Sequence, residues 1–125
     1  MALWRFPLVL VGVLLAHAAA AQTTIIYSRQ DAAQALRVQR LARLYETTLI
    51  DRDIPAGAPW RQVLERAICV SDRVLLLWSR RAAASAEVAR EIQTARLCRV
   101  PVVPVLLDST PLPPDVGQLQ GVDWR

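Results

Sequence analysis

From Thr23 onward the chain alternates short apolar runs with helix-length amphipathic stretches. Thr23-Thr-Ile-Ile-Tyr27 is β-branched and aromatic and reads as a first strand. Asp31 is placed to cap a helix running to about Glu46, in which Val38, Leu41, Ala42 and Tyr45 recur at i, i+3, i+4 and i+7. Thr47-Thr-Leu-Ile50 reads as a second strand, followed by a loop, Asp51 to Pro59, that Pro and Gly keep out of regular structure. Trp60, Val63, Leu64, Ala67 and Ile68 share one face of a second helix, with Arg61, Gln62, Glu65 and Arg66 on the other. Arg73-Val-Leu-Leu-Leu-Trp78 is apolar without alternation, as a strand is when both faces of its sheet are covered. Ser85 caps a third helix with Glu87 in its first turn and Val88, Ile92 and Ala95 as its inward stripe. Val100 to Leu107 is the fourth strand, and the proline-containing tail from Asp108 to Arg125 shows no helical pattern. The order β-α-β-α-β-α-β predicts a parallel α/β sheet with right-handed crossovers.

Residues 1–21 follow a different pattern. One charge, Arg5, precedes an apolar run from Pro7 to Ala16, and small residues, Ala18 to Ala21, close the segment. A basic start, an apolar core and a small-residue cleavage site describe a secretory signal peptide, with cleavage expected after Ala21. The run approaches the roughly 20 apolar residues of a membrane span only if the alanines are counted. An uncleaved N-terminal anchor in residues 7–21, or a start codon placed upstream of a cytosolic domain, are the alternatives. The expected organisation is therefore a leader or anchor at 1–21 and one domain at 22–125. The protein is then exported to a periplasmic or extracellular space if the leader is cleaved, and membrane-anchored if it is not.

Composition narrows the chemistry. The 125 residues carry 15 basic side chains against 11 acidic ones, and every basic one is Arg. Without Lys there is no Schiff-base chemistry and no P-loop lysine. The single histidine, His17, lies in the leader, so the domain has no imidazole for a Ser-His-Asp triad or a histidine-rich metal site. Two cysteines without histidine do not supply the ligands of a structural zinc, and no metal site is expected. The positive charge is mild and scattered, with no basic stripe for nucleic acid.

In open parallel sheets, ligands bind beyond the carboxyl ends of the strands. Tyr27-Ser28-Arg29 leaves the first strand, Asp51-Arg52-Asp53 the second and Ser79-Arg80 the third, while Ser85 to Glu91 forms the first turns of the next helix. These groups face one rim and combine carboxylates, guanidiniums, hydroxyls and an aromatic ring, a set suited to a polar, phosphate-bearing ligand. Polar loop ends are also the rule in α/β proteins generally.

These same residues carry a family resemblance. Ile25-Ile-Tyr-Ser-Arg29 followed by Asp31 resembles the "ISYSRxD" opening of Toll/interleukin-1 receptor (TIR) domains. Leu49-Ile-Asp-Arg-Asp-Ile-Pro-Ala-Gly57 with Trp60 is similar to their second strand and its loop. Leu64-Glu-Arg-Ala-Ile68 with Ser71-Asp72 resembles the "xIxxAIxxSD" helix, Val74 to Ser79 the "vvlllS" strand, and Ser85 to Ile92 the "SxWCxxEL" helix. Pro101 to Leu107 and Leu112-Pro113 complete the order, so the resemblance spans residues 23 to about 124.

The resemblance implies a flavodoxin-like, three-layer α/β/α fold, with a possible truncation where family members continue through a last strand and helix. It implies two kinds of activity. TIR domains assemble with one another in signalling, and many bacterial, plant and axonal members cleave NAD+ to release nicotinamide. The catalytic glutamate of those enzymes maps to Glu91. Breaking the ribose–nicotinamide bond passes through an oxocarbenium-like cation that a carboxylate can stabilise, and the neutral pyridine leaves without a general acid. Tyr27, Ser28, Arg29, Asp51, Asp53 and Ser79 are the expected substrate-binding residues, with NAD+ as substrate and no resident cofactor. Their plainer roles are a core-edge tyrosine, a surface arginine, loop-ordering aspartates and a strand-ending serine. The loop carrying Ile54, Pro55 and Gly57, with Trp60, is the expected contact surface for other TIR domains, although Trp60 and Trp78 also fit core packing.

Two departures from the family pattern matter. The tryptophan four residues before the glutamate is Glu87, and the adjacent cysteine is Val88. A second carboxylate cannot stack on a leaving ring, and near Glu91 it would raise that residue's proton affinity. In a flavodoxin-like order, Cys69 and Cys98 lie near the ends of neighbouring helices. They pair in an oxidising compartment or else remain buried thiols. An NAD+ glycohydrolase, a non-catalytic TIR interaction module and a secreted effector of another cell's TIR signalling all fit this sequence.

Overall fold

The computed structural model describes residues 3–5, 21–44, 47–114, 116 and 121–125. Its strands are β1 (Leu3–Arg5), β2 (Gln22–Ile26), β3 (Thr47–Leu49), β4 (Arg73–Trp78), β5 (Val102–Leu106) and β6 (Gly121–Asp123). They form one parallel sheet in the order β1-β6-β5-β4-β2-β3. The helices are α1 (Ala32–Ala42), α2 (Trp60–Val70), the single-turn α3 (Arg80–Ala83) and α4 (Ala86–Leu97).

Alternation along β4 divides the core into two layers. Val74, Leu76 and Trp78 face α2 and α4, where they meet Leu64, Ile68, Val88, Ile92 and Ala95. Leu75 and Leu77 face the opposite way, joining Ile25, Ile50 and the α1 residues Ala35, Val38 and Ala42. Every residue of β4 is buried, which explains its unbroken apolar run. The result is the three-layer α/β/α arrangement of the flavodoxin-like fold. At the start of β4 the fully buried Arg73 donates its Nε to Thr23 Oγ1 at 3.3 Å.

Most expected elements form, with informative differences. The first helix ends at Ala42 instead of about Glu46, and Tyr45 and Glu46 lie outside the described residues. Asp31 makes no side-chain cap for α1; instead, the turn before it is capped by Ser28. Ser85 does cap α4, its Oγ accepting from the Val88 N–H at 3.2 Å. The fourth expected strand shortens from 100–107 to Val102–Leu106, because Arg99 takes a left-handed conformation (φ 58°) and the Val100 N–H returns to the Ala95 carbonyl to close α4. The tail supplies a strand after all: β6 pairs with β5 through Val105–Val122 and Leu106–Asp123. Beyond it, β1 pairs with β6 from within the segment read as a leader. Apart from residues 3–5 and Ala21, that segment lies outside the described residues. No described helix is long and apolar enough to cross a membrane.

Candidate functional site

The carboxyl ends of β2, β3, β4 and β5 open onto one cleft of about 910 Å³. Tyr27, Ser28 and Arg29 enter it from the end of β2, Asp51 from the end of β3, and Ser79, Arg80 and Arg81 from the end of β4. Leu107 and Asp108 follow β5. Trp60, at the first turn of α2, and Ser85, Glu87 and Glu91, on the first turns of α4, complete the wall. The rim expected from the sequence is therefore a continuous concave surface.

Glu91 is a buried acid of this surface, only 9% exposed although it sits on a helix. The inward stripe of α4 explains its position: Val88, Ile92 and Ala95 are all buried, and Glu91 lies one residue around on the same side. It forms no ion pair or hydrogen bond with another described residue. Burial is the largest cause raising its carboxyl pKa, the nearby charges of Asp51 and then Glu87 add to it, and Arg29 and Arg90 pull weakly the other way, which together bring it from 4.5 to about 8. Asp51 in turn accepts the hydroxyl proton of Tyr27, joining the ends of β2 and β3 beside Glu91.

Glu87 does not stand free beside it. Arg61 Nη2 on α2 donates to Glu87 Oε1 at 2.8 Å, and Arg90 Nη1 lies 3.6 Å from the same oxygen. Arg61 also lies 5.5 Å from the centre of the Trp60 ring, and Arg29 lies at the same distance from that ring.

On the other side of the cleft, Asp31 forms a centre that sequence reasoning missed. It is 5% exposed, accepts the Ser79 hydroxyl at 2.6 Å and meets Arg81 Nη1 at 3.3 Å. Ser79 Oγ accepts the Ala82 N–H, capping α3. The only signal in the sequence was the aspartate of the "SRxD" opening, which helix capping accounted for equally well. Asp108 was missed as well. Hydrogen bonds from Thr110 and from the Arg80 N–H hold its carboxyl below the usual range.

The remaining expected residues lie elsewhere. Asp53 is outside the cleft wall: its Oδ2 accepts from Gln39 Nε2 at 2.8 Å and from the Ile50 N–H at 3.1 Å, so it orders the loop after β3. Ile54 packs inward against the α2–α4 core layer. Pro55 and Gly57 are exposed, and Gly57 (φ 86°) supplies the left-handed turn. Trp60 is shared, packing on that core layer and lining the cleft. Cys69 and Cys98, left open by the sequence, form a disulfide joining the C-terminal ends of α2 and α4, with Cα atoms 5.2 Å apart. Both residues are exposed, not buried.

A doubly covered parallel sheet with a polar cleft at its carboxyl edge defines an α/β domain of the flavodoxin-like kind. The TIR domain profile matches residues 24–125, and the chain belongs to the TIR domain family. Family membership makes it a signalling and assembly module, since TIR domains act through contacts with other TIR domains. Among solved structures it is similar to the TIR domain of the Toll-related receptor TRR-2 from Hydra magnipapillata, at TM-score 0.70 and 20% identity over 82% of each chain. It is also similar to a 2-deoxyribosyltransferase from Bacillus psychrosaccharolyticus, at TM-score 0.64 and 13% identity over 83% of this chain and 88% of that one. At these identities both likenesses speak to the fold alone. No curated protein sequence matches significantly.

Proposed function

We propose that this TIR domain cleaves the glycosidic bond of NAD+, releasing nicotinamide and ADP-ribose, with Glu91 as the catalytic carboxylate. The observation that carries the reading is a buried glutamate, unpaired among the described residues, on the wall of a 910 Å³ cleft that also holds Arg29, Arg80 and Arg81. The C1′–N bond breaks with its electron pair going to the nicotinamide nitrogen. The ionised Glu91 stabilises the cation left on the ribose, water adds at C1′, and its proton passes to solvent. The reading is compatible with a raised Glu91 pKa. A cationic pyridinium arriving beside Glu91 favours its ionised form, so substrate and catalyst acquire matching charge together. Asp51, oriented by Tyr27, adds negative potential beside the ribose. The arginines supply the positive potential for the phosphates.

A second reading has its own support. The exposed Pro55–Gly57 loop offers a contact surface, so the chain acts as a non-catalytic TIR–TIR module or as a secreted effector meeting another cell's TIR proteins. The Cys69–Cys98 disulfide supports folding in an oxidising compartment, reached by export with residues 1–21 either removed or kept as an anchor. NAD+ is an intracellular cofactor, so an exported hydrolase meets its substrate only on delivery into a cell. Nicotinamide release by the purified protein, compared with Glu91→Ala, tests the first reading. Release that vanishes in the variant supports it. A folded protein without release leaves the interaction module.

A further inference from the structure

The cleft wall is mostly charged and hydroxylated, and a nucleotide's heteroaromatic ring needs a flat apolar face. Two aromatic side chains line the wall, Tyr27 and Trp60. Tyr27 is 8% exposed, sits in the α1-side core layer and has its hydroxyl engaged by Asp51, so its ring belongs to the scaffold. Trp60 is half-buried. It packs against the α2–α4 core layer and also lines the cleft.

Its surroundings link it to the helix that carries Glu91, across the same cleft wall. Arg61 lies 5.5 Å from the Trp60 ring centre and donates to Glu87 at 2.8 Å, and Glu87 is one helical turn before Glu91. The Arg29 guanidinium, also lining the cleft, lies over the same indole at 5.5 Å. A guanidinium is a planar cation, so this indole already accommodates the kind of group a pyridinium is.

We infer that Trp60 is the base-stacking residue of the cleft, receiving a cationic heteroaromatic ring on its indole and thereby setting the preference for pyridinium-bearing ligands. The inference rests on the hydrolase reading only for the ring's role as a leaving group; binding of the ring does not need turnover. Arg29 gives up the indole as the ring enters and becomes available to the ligand's phosphates. The aromatic surface absent from position 87 of α4 is thus supplied from α2. Trp60 is in this account a specificity residue acting on the ring, while the bond cleavage stays with Glu91.

The test uses two probes with the whole protein. The 1-methylnicotinamide cation carries the ring without phosphates, and ADP-ribose carries the phosphates without the ring. Titration calorimetry with wild type, Trp60→Phe and Trp60→Leu, each checked for folding by circular dichroism, gives the dissociation constants. The leucine variant retains apolar packing against the core. The expected result is binding of 1-methylnicotinamide within about threefold in Trp60→Phe and weakened about tenfold or more in Trp60→Leu. ADP-ribose affinity should be unchanged in both. Equal 1-methylnicotinamide binding by Trp60→Leu, parallel loss of both probes, or no binding of the cation by wild type overturns the inference. Nicotinamide release by wild type, measured alongside, bears on the hydrolase reading alone.

Discussion

Arg61 on α2 and Glu87 on α4 are joined by a 2.8 Å ion pair that ties together the two helices flanking the cleft mouth. Both side chains are about half exposed, so the pair itself contributes at most about 1 kcal/mol to stability. Its importance lies in what it does to the site. Glu87 is the residue that departs from the family pattern, and Arg61 and Arg90 partly offset a charge that would otherwise bear fully on Glu91.

Removing that charge should ease ionisation of the buried acid. In Glu87→Gln the Glu91 pKa should fall from about 8, because a like charge that raises it is gone. Carboxyl-carbon NMR titration reads this directly. Arg61→Ala, which unshields Glu87, should move the midpoint the other way. A midpoint unmoved in both variants would remove Glu87 from the electrostatics of the site.

Glu91 also sets a pH dependence of stability. Its folded pKa lies above its unfolded value, so below about 4.5 both states hold the proton and burial of the group costs nothing extra. Between 4.5 and about 8 the unfolded chain releases the proton first, and stability falls as pH rises. Glu91→Gln should therefore match wild type near pH 4 and exceed it by on the order of 3 kcal/mol at pH 7. Urea midpoints at the two pH values check this, and a pH-independent difference would contradict it.

The Cys69–Cys98 disulfide closes a loop of sequence separation 29 between two helices that both line the cleft. Chain-entropy reasoning puts its contribution at about 3–4 kcal/mol. Both cysteines are exposed, so a dithiol reductant has access to them. Reduction, or Cys69→Ser with Cys98→Ser, should lower the urea midpoint accordingly, and intact mass should show two fewer hydrogens in the oxidised form. An unchanged midpoint after complete reduction would show that helix packing alone sets the α2–α4 geometry.

Asp31 ties the turn after β2 to the turn after β4. Asp31→Ala leaves Ser79 without its buried acceptor and Arg81 without its carboxylate, and should cost about 2 kcal/mol in urea unfolding. Wild-type stability in this variant would mean that the Ser79–Ala82 cap holds α3 unaided.

The legible parts of this fold were those governed by local pattern. The apolar run of β4, the sided face of α2 and the Ser85 cap of α4 each report burial or backbone satisfaction within a few residues. The convergence of Tyr27, Arg29, Asp51, Ser79 and Glu91 followed from parallel topology, since strand ends of one sense share an edge. What escaped depends on partners distant in sequence. Asp31 resembled a helix cap until Ser79, 48 residues later, met it. β6 is three residues long, too short for periodicity, and exists through its pairing with β5. Asp53 had the chemistry of a site residue, but Gln39 and the Ile50 N–H hold it in the loop.

The proposed catalytic group is the carboxyl of Glu91, buried and unpaired among the described residues. The most direct measurement is kcat/KM for nicotinamide release from NAD+ between pH 5.5 and 9, with Glu91→Gln alongside. The account predicts a rate that rises with pH through a midpoint near 8 in wild type, as the free protein's Glu91 ionises, and no release in the variant. Release by Glu91→Gln with the wild-type profile, or none from the folded wild-type protein at any pH, would contradict it.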